Sequence, residues 1–137
     1  MPLLAVAGGL LFTAVVQSSS VTTGLAIVLV QAGVMPAETA IQVAIGANVG
    51  STSTALIAST AMSHVARRSA FANFLFNLTG MLIYLPFLRP FARWIVDFAE
   101  APAFAVAWAH LLFNLSISMV LMLLLPVLTR SLPRTAS

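Results

Sequence analysis

Eight consecutive residues, Gln17-Ser18-Ser19-Ser20-Val21-Thr22-Thr23-Gly24, place five hydroxyls and one carboxamide between the apolar runs Leu3 to Val16 and Leu25 to Val30. In water such a stretch is an ordinary polar turn. In a bilayer each of these groups needs a partner, because hydrocarbon offers none and an unpaired polar group costs several kcal/mol. The stretch must be buried in protein or hold something polar, and its composition suits the second. Hydroxyl oxygens, a glutamine carbonyl and unwound main-chain carbonyls suit a small hard cation such as sodium. Free N–H groups at the start of a helix suit an oxyanion.

A second stretch, Gly46-Ala47-Asn48-Val49-Gly50-Ser51-Thr52-Ser53-Thr54, repeats this chemistry, with one carboxamide followed by four hydroxyls. Two polar interruptions in one short apolar chain are the sequence pointer to a transporter site. The alternative is a small-residue helix seam, its glycines four apart and its hydroxyls bonded back to their own helix. Neither stretch holds a carboxylate or an arginine, which disfavours an acidic channel ring or a proton relay. An anion carried without a fixed basic residue needs its charge offset, and co-bound cations do that. Cation-coupled uptake of an oxyanion follows as the physical expectation.

The elements that position these stretches are read from composition. Of 137 residues, 61% are hydrophobic and only 7% charged, and the mean hydropathy is +1.07. A soluble domain carries about a quarter charged residues, so this chain lacks the material for a wetted surface and reads as an all-α integral membrane protein. With no cysteine, disulfides, thiolate metal sites and cysteine nucleophiles are excluded. The arginines lie between apolar runs rather than on one face, which speaks for membrane orientation and against a nucleic-acid surface. Leu3 to Val16 has the length of a signal-peptide core, but no positive charge precedes it and no small-x-small cleavage site follows before Ser18.

As one helix, residues 3–34 would be about 48 Å long, far beyond a hydrocarbon core of about 30 Å. The sequence therefore predicts a broken helix or a re-entrant hairpin over residues 1–34, with its polar tip at Gln17 to Thr23. Gly33 ends the second arm, Pro36 opens the next helix at its first position, and Glu38 falls in that helix's first turn. Residues 37–63 are expected as a helix interrupted at Gly46 to Thr54. Arg67-Arg68 marks a membrane exit, residues 70–88 and 102–128 read as transmembrane helices, the second kinked at Pro126, and Phe91 to Glu100 suits the interface. A short repeat links the two spans: Ala72-Asn73-Phe74-Leu75-Phe76-Asn77-Leu78 and Ala109-His110-Leu111-Leu112-Phe113-Asn114-Leu115. Asn73 with Asn77, and His110 with Asn114 and Ser118, share helix faces expected to point into the bundle and lock helices together. The glycosylation patterns at Asn77 and Asn114 lie inside apolar spans and are discounted. Arg67, Arg68, Arg130 and Arg134 on one side outweigh Arg89 and Arg93 on the other, which places the C-terminus in the cytoplasm.

In this order, Gln17-Ser18-Ser19-Ser20, Gly46-Ala47-Asn48-Val49-Gly50-Ser51-Thr52, Phe74-Leu75-Phe76-Asn77 and His110-Leu111-Leu112-Phe113-Asn114 resemble the sodium/phosphate cotransporter family, and among its bacterial members the second repeat. The family pattern has a threonine where this chain has Ser51, a change that keeps the hydroxyl. The resemblance runs from about Gly9 to Pro126. It implies one repeat of an inverted-repeat transporter, with a re-entrant or broken helix pair and two to three further transmembrane helices. It also implies sodium-coupled transport of inorganic phosphate across a bacterial plasma membrane, with no resident cofactor and sodium as the co-transported ion. By motif, Gln17, Ser18, Ser19 and Ser20 form the substrate-binding tip, and Thr22, Thr23, Asn48, Ser51, Thr52, Ser53 and Thr54 coordinate sodium or phosphate. Only one repeat is present, so the chain resembles half of a transporter: a fragment, or a unit that pairs with a complementary first repeat or a second copy of itself. The competing class is a non-transporting helical scaffold or partner-binding subunit. An enzyme is not expected, since no nucleophile motif or paired acids accompany the serines and histidines.

Overall fold

The computed structural model describes residues 2–131, with side chains through residue 123. Its described elements are helical throughout: α1 Pro2–Val16, α2 Ser19–Gln31, α3 Ala37–Ala58, α4 His64–Tyr84, α5 Leu88–Phe98 and α6 Pro102–Ser131, with 3-10 turns at Ser59–Ala61 and Leu85–Phe87. Three segments, Ala37–Ala61, His64–Phe98 and Pro102–Leu123, are long and apolar enough to cross a membrane. At 15 and 13 residues, α1 and α2 extend only about 22 and 20 Å at 1.5 Å per residue, short of a full crossing.

The break between α1 and α2 lies where the sequence places it. Gln17 takes a positive φ of 63°, and Ser18 is extended (φ −144°, ψ 110°) before helix resumes at Ser19. The next boundary is a glycine stop. Gly33 at φ 70° lets its own N–H reach the Val30 carbonyl at 3.0 Å and lets the Val34 N–H reach that of Leu29 at 3.0 Å, closing α2. Pro36 sits one residue earlier than expected, as the extended N-cap of α3 rather than its first helical residue.

α3 is the axis of the fold. Its contacts with α1 advance together along both helices, from Val6 and Gly9 against Val43 and Gly46 to Leu10 and Thr13 against Gly50, so α1 and α3 run side by side in one direction. α2 therefore carries the chain back from the end of α1 to the start of α3. The seam is backbone on backbone. A Cβ at Gly9 would fall on the Val43 carbonyl, at Gly46 on that of Val6, and at Gly50 on that of Leu10. Lipid supplies no hydrophobic drive between helices, and such close approach is how small residues gain dispersion contact there.

Two expectations need correction here. The interruption predicted at Gly46 to Thr54 does not exist: α3 is continuous through Ala58. Each hydroxyl in that stretch bonds a carbonyl three or four residues back, so the polar side chains are satisfied without unwinding the helix. The glycines serve the seam with α1 instead. Likewise the fourth helix starts at His64, six residues before the expected 70, because Ser63 caps it by accepting the Ala66 N–H at 3.4 Å.

The other face of α3 carries Ile41, Ile45 and Val49, which join Leu88, Ala92 and Ile95 of α5 and Ala105, Val106, Ala109 and Phe113 of α6 in the core. Tyr84 wedges edge-on between Phe91 and Phe113, with centroids 5.1 and 4.9 Å away, and its hydroxyl lies 2.7 Å from Ser116. α6 remains helical past Pro126. The side chain of Arg130 and all of Arg134, invoked above for orientation, lie outside the described residues.

Candidate functional site

The tip is built by local rules. By helix geometry the first N–H groups of α2 have no partner within the helix. The Ser18 hydroxyl accepts from Val21 N–H at 3.3 Å, and the Ser18 carbonyl from Thr22 N–H at 3.2 Å. Those of Ser19 and Ser20 are left to the tip, where the positive end of the α2 macrodipole favours negative charge. Gln17 and Ser20 are exposed and Ser18 and Ser19 half-buried, so these four residues form an open polar face.

Behind that face the tip is tied down twice. Thr13, fully buried at 0% exposure, lies 2.7 Å from Thr22, hydroxyl to hydroxyl, bridging α1 to α2. The Thr22 hydroxyl also donates to the Ser18 carbonyl at 3.1 Å; having one proton, it must accept the bond from Thr13. The neighbouring Thr23 is buried, and its Oγ1 lies 3.5 Å from Nδ1 of His110 on α6. Thr22 and Thr23, candidates for direct coordination on sequence grounds, thus sit behind the tip and hold it.

The polar stretch of α3 approaches through Gly50, whose neighbours are Leu10 and Thr13. Two residues before it, Asn48 is 5% exposed, and its Nδ2 is the one buried side-chain donor without a partner among the described residues. Leaving such a donor unpaired costs about 1–3 kcal/mol. Ser51 donates to the Asn48 carbonyl at 3.0 Å, Thr52 to Val49 at 2.9 Å, Ser53 to Gly50 at 2.7 Å and Thr54 to Ser51 at 2.8 Å. Their protons are engaged while the oxygen lone pairs stay available, an arrangement open to a cation and closed to further donation.

The five polar residues expected to lock helices divide. His110 reaches across to Thr23, whereas Asn114 donates to the His110 carbonyl of its own helix at 2.8 Å. Asn73 is exposed rather than turned into the bundle, and Asn77 donates to its carbonyl at 3.0 Å and to its Oδ1 at 3.1 Å, so this pair satisfies itself along one helix. Ser118 is also exposed. The interhelical ties that sequence reasoning missed are Thr13 and the Tyr84–Ser116 pair. Thr13 carried a signal, being the lone hydroxyl in the first apolar run and four residues after Gly9; Ser116 was seen only as part of a glycosylation pattern. Among the described residues no cluster of histidine, aspartate or glutamate could hold a metal ion.

Residues 1–99 match the family model described as Na+/Pi-cotransporter. Over 106 residues the chain is 32% identical to an uncharacterized protein, YqeW, of Bacillus subtilis, covering 77% of this chain and 34% of that protein. It is 33% identical over 107 residues to a putative inorganic phosphate export protein, YjbB, of Salmonella typhimurium, covering 78% and 20%. With sodium-dependent phosphate transport protein 2B of Homo sapiens it shares 38% identity over 101 residues, covering 71% and 14%. The chain thus spans about a third or less of the length of these relatives. No solved structure matches it.

Proposed function

The chain belongs to the Na+/Pi-cotransporter family, and on that premise we propose that it is one repeat of a sodium-coupled phosphate transporter, completed by a complementary first repeat or a second copy of itself. α1 and α2 enter and leave the membrane from the same side as a re-entrant hairpin whose tip meets the solute. Phosphate lies against the N–H groups of Ser19 and Ser20, the hydroxyls of Ser18, Ser19 and Ser20 and the Gln17 carboxamide. Sodium takes the lone pairs of Ser51 and Thr52 and of main-chain carbonyls near the tip, with Ser53 and Thr54 as further donors. Asn48 Nδ2 supplies a donor to the bound phosphate.

The single observation that carries this reading is the tip itself. A non-glycine residue in the left-handed region and an N-cap serine open a helix start inside an apolar chain, with no acidic side chain in its first turn to satisfy it. The open face of Gln17 and Ser20 fits a half-site, since a complementary repeat has to close it from the other side. Coupling follows from charge. Phosphate held by dipoles alone leaves its charge unbalanced in a low-dielectric site, and co-bound sodium removes that cost.

The continuous α3 favours a second reading for that helix alone, in which its hydroxyls serve packing and the tip acts without them. Proteoliposomes holding this repeat, with the remainder of the transporter, separate the two. Sodium-dependent uptake of radiolabelled phosphate is expected in the wild type, abolished by Ser20→Ala and reduced by Asn48→Leu. Full activity of Asn48→Leu would confine the site to the tip, and absence of sodium-dependent uptake in the wild type would defeat the proposal.

A further inference from the structure

A second polar site lies near the opposite end of α3. The starts of α1, α3 and α6 and one side of α5 enclose a cleft of about 710 Å³ lined by Pro36, Glu38, Gln42, Arg89 and Arg93. α3 begins there without a side-chain cap, because Pro36 has nothing to offer. The Pro36 carbonyl accepts from Thr39 N–H at 3.0 Å and Ala40 N–H at 3.1 Å, which leaves the N–H groups of Ala37 and Glu38 without a helical partner. Gln42 is 7% exposed yet has no side-chain hydrogen bond among the described residues, and its carboxamide borders the cleft rather than being sealed in the core. Its amide therefore reaches the cleft with donors and an acceptor free for a ligand that enters the space before it.

The charges agree. Arg93 Nε lies 3.7 Å from Glu38 Oε1, so the acidic side chain is already countered. Arg89, four residues earlier on the same side of α5, is exposed and has no ion pair among the described residues. Two guanidinium groups against one carboxylate leave the cleft positive. Outside the cleft lining, on a neighbouring face of α5, Trp94 stacks on Phe98 at 5.9 Å, and Phe98 meets Trp108 of α6 edge-on at 6.4 Å. Aromatic clusters of this type sit at headgroup depth.

We infer that this cleft binds a phosphate oxyanion, and that the aromatic cluster fits it to the phosphodiester headgroup of an anionic phospholipid. Arg89 makes the charged contact, Gln42 donates from beneath, and the uncapped start of α3 adds its dipole. The inference does not depend on the transport reading, since none of these residues belongs to the tip.

The test uses the purified full chain in detergent and potassium buffer, without sodium, so that sodium-dependent binding at the tip is silent. Native mass spectrometry against an equimolar mixture of phosphatidylglycerol and phosphatidylcholine is expected to show retention of phosphatidylglycerol. Arg89→Gln, an exposed change that leaves the fold intact, should lower that retention about tenfold, as loss of a charge-assisted hydrogen bond does. Gln42→Leu should lower it several-fold, and Arg67→Gln should not lower it. Millimolar inorganic phosphate distinguishes the sources: failure to displace the lipid assigns the site to headgroups, and displacement assigns it to free phosphate. Equal retention of phosphatidylglycerol by wild type and Arg89→Gln, or equal losses from Arg89→Gln and Arg67→Gln, would overturn the site.

Discussion

The bond between Thr13 and Thr22 is the most direct structural test of how the tip is held. Because the Thr22 proton goes to the Ser18 carbonyl, Thr13 is the donor and Thr22 the acceptor. The two isosteric variants therefore differ. Thr22→Val removes the acceptor and the tie to Ser18 together, and Thr13 can recover only by turning to a carbonyl of its own helix, as the α3 hydroxyls do. Thr13→Val leaves Thr22 its bond to Ser18 and costs it an acceptor contact only. With about 1 kcal/mol for a net hydrogen bond and up to about 3 for a buried group left unpaired, Thr22→Val should destabilise by about 2 kcal/mol and Thr13→Val by about 1. The double variant should fall short of their sum by about 0.6 to 1.7 kcal/mol, the range for hydrogen bonds between membrane helices. Denaturant unfolding in detergent micelles of the wild type, both singles and the double measures that coupling. Additive effects, or Thr13→Val the more damaging, would refute the assigned direction of the bond.

Other perturbations reach different parts of the account. Gln17→Gly removes the left-handed penalty at φ 63° and should stabilise the chain by about 1 kcal/mol while lowering phosphate affinity; a variant both stable and fully active would take Gln17 out of the site. Gly50→Leu sets a side chain onto the Leu10 carbonyl and should cost about 3 kcal/mol or prevent assembly of α1 with α3, read by loss of monodisperse protein on size exclusion, whereas Gly8→Leu, where nothing lies within 4 Å, should be neutral. If His110 positions the tip through Thr23, then Thr23→Val and His110→Leu should each raise the KM for phosphate several-fold and the pair should not add; independent effects would show that the 3.5 Å contact does no work.

The break at Gln17 to Ser18 was legible in the sequence because length forces it. No helix of residues 3–34 fits a bilayer unbroken, and the hydroxyl cluster is the weakest place in it. The stop at Gly33 was legible for a similar reason, since only glycine takes its φ without penalty. The second stretch misled because composition alone cannot separate an unwound segment from a helix whose hydroxyls bond backwards. What decides the matter is the neighbour: Gly46 and Gly50 meet the carbonyls of α1, and that seam rewards a straight helix. Asn73 misled differently, since sharing a face with Asn77 let the Asn77 amide donate to it along α4 without a second helix, while Asn73 itself faces outward. The Glu38–Arg93 pair was hidden, because the residues lie on elements whose adjacency no local pattern announces.

In the proposed mechanism the tip meets the solute, and the chain contains no cysteine, so one introduced thiol reports on the tip alone. In the reconstituted transporter, with any native cysteines in its remainder replaced, Ser20→Cys should react with a water-soluble thiol reagent, and phosphate should slow that reaction only when sodium is present. A thiol that never reacts, or one that reacts at the same rate with and without sodium and phosphate, would contradict it.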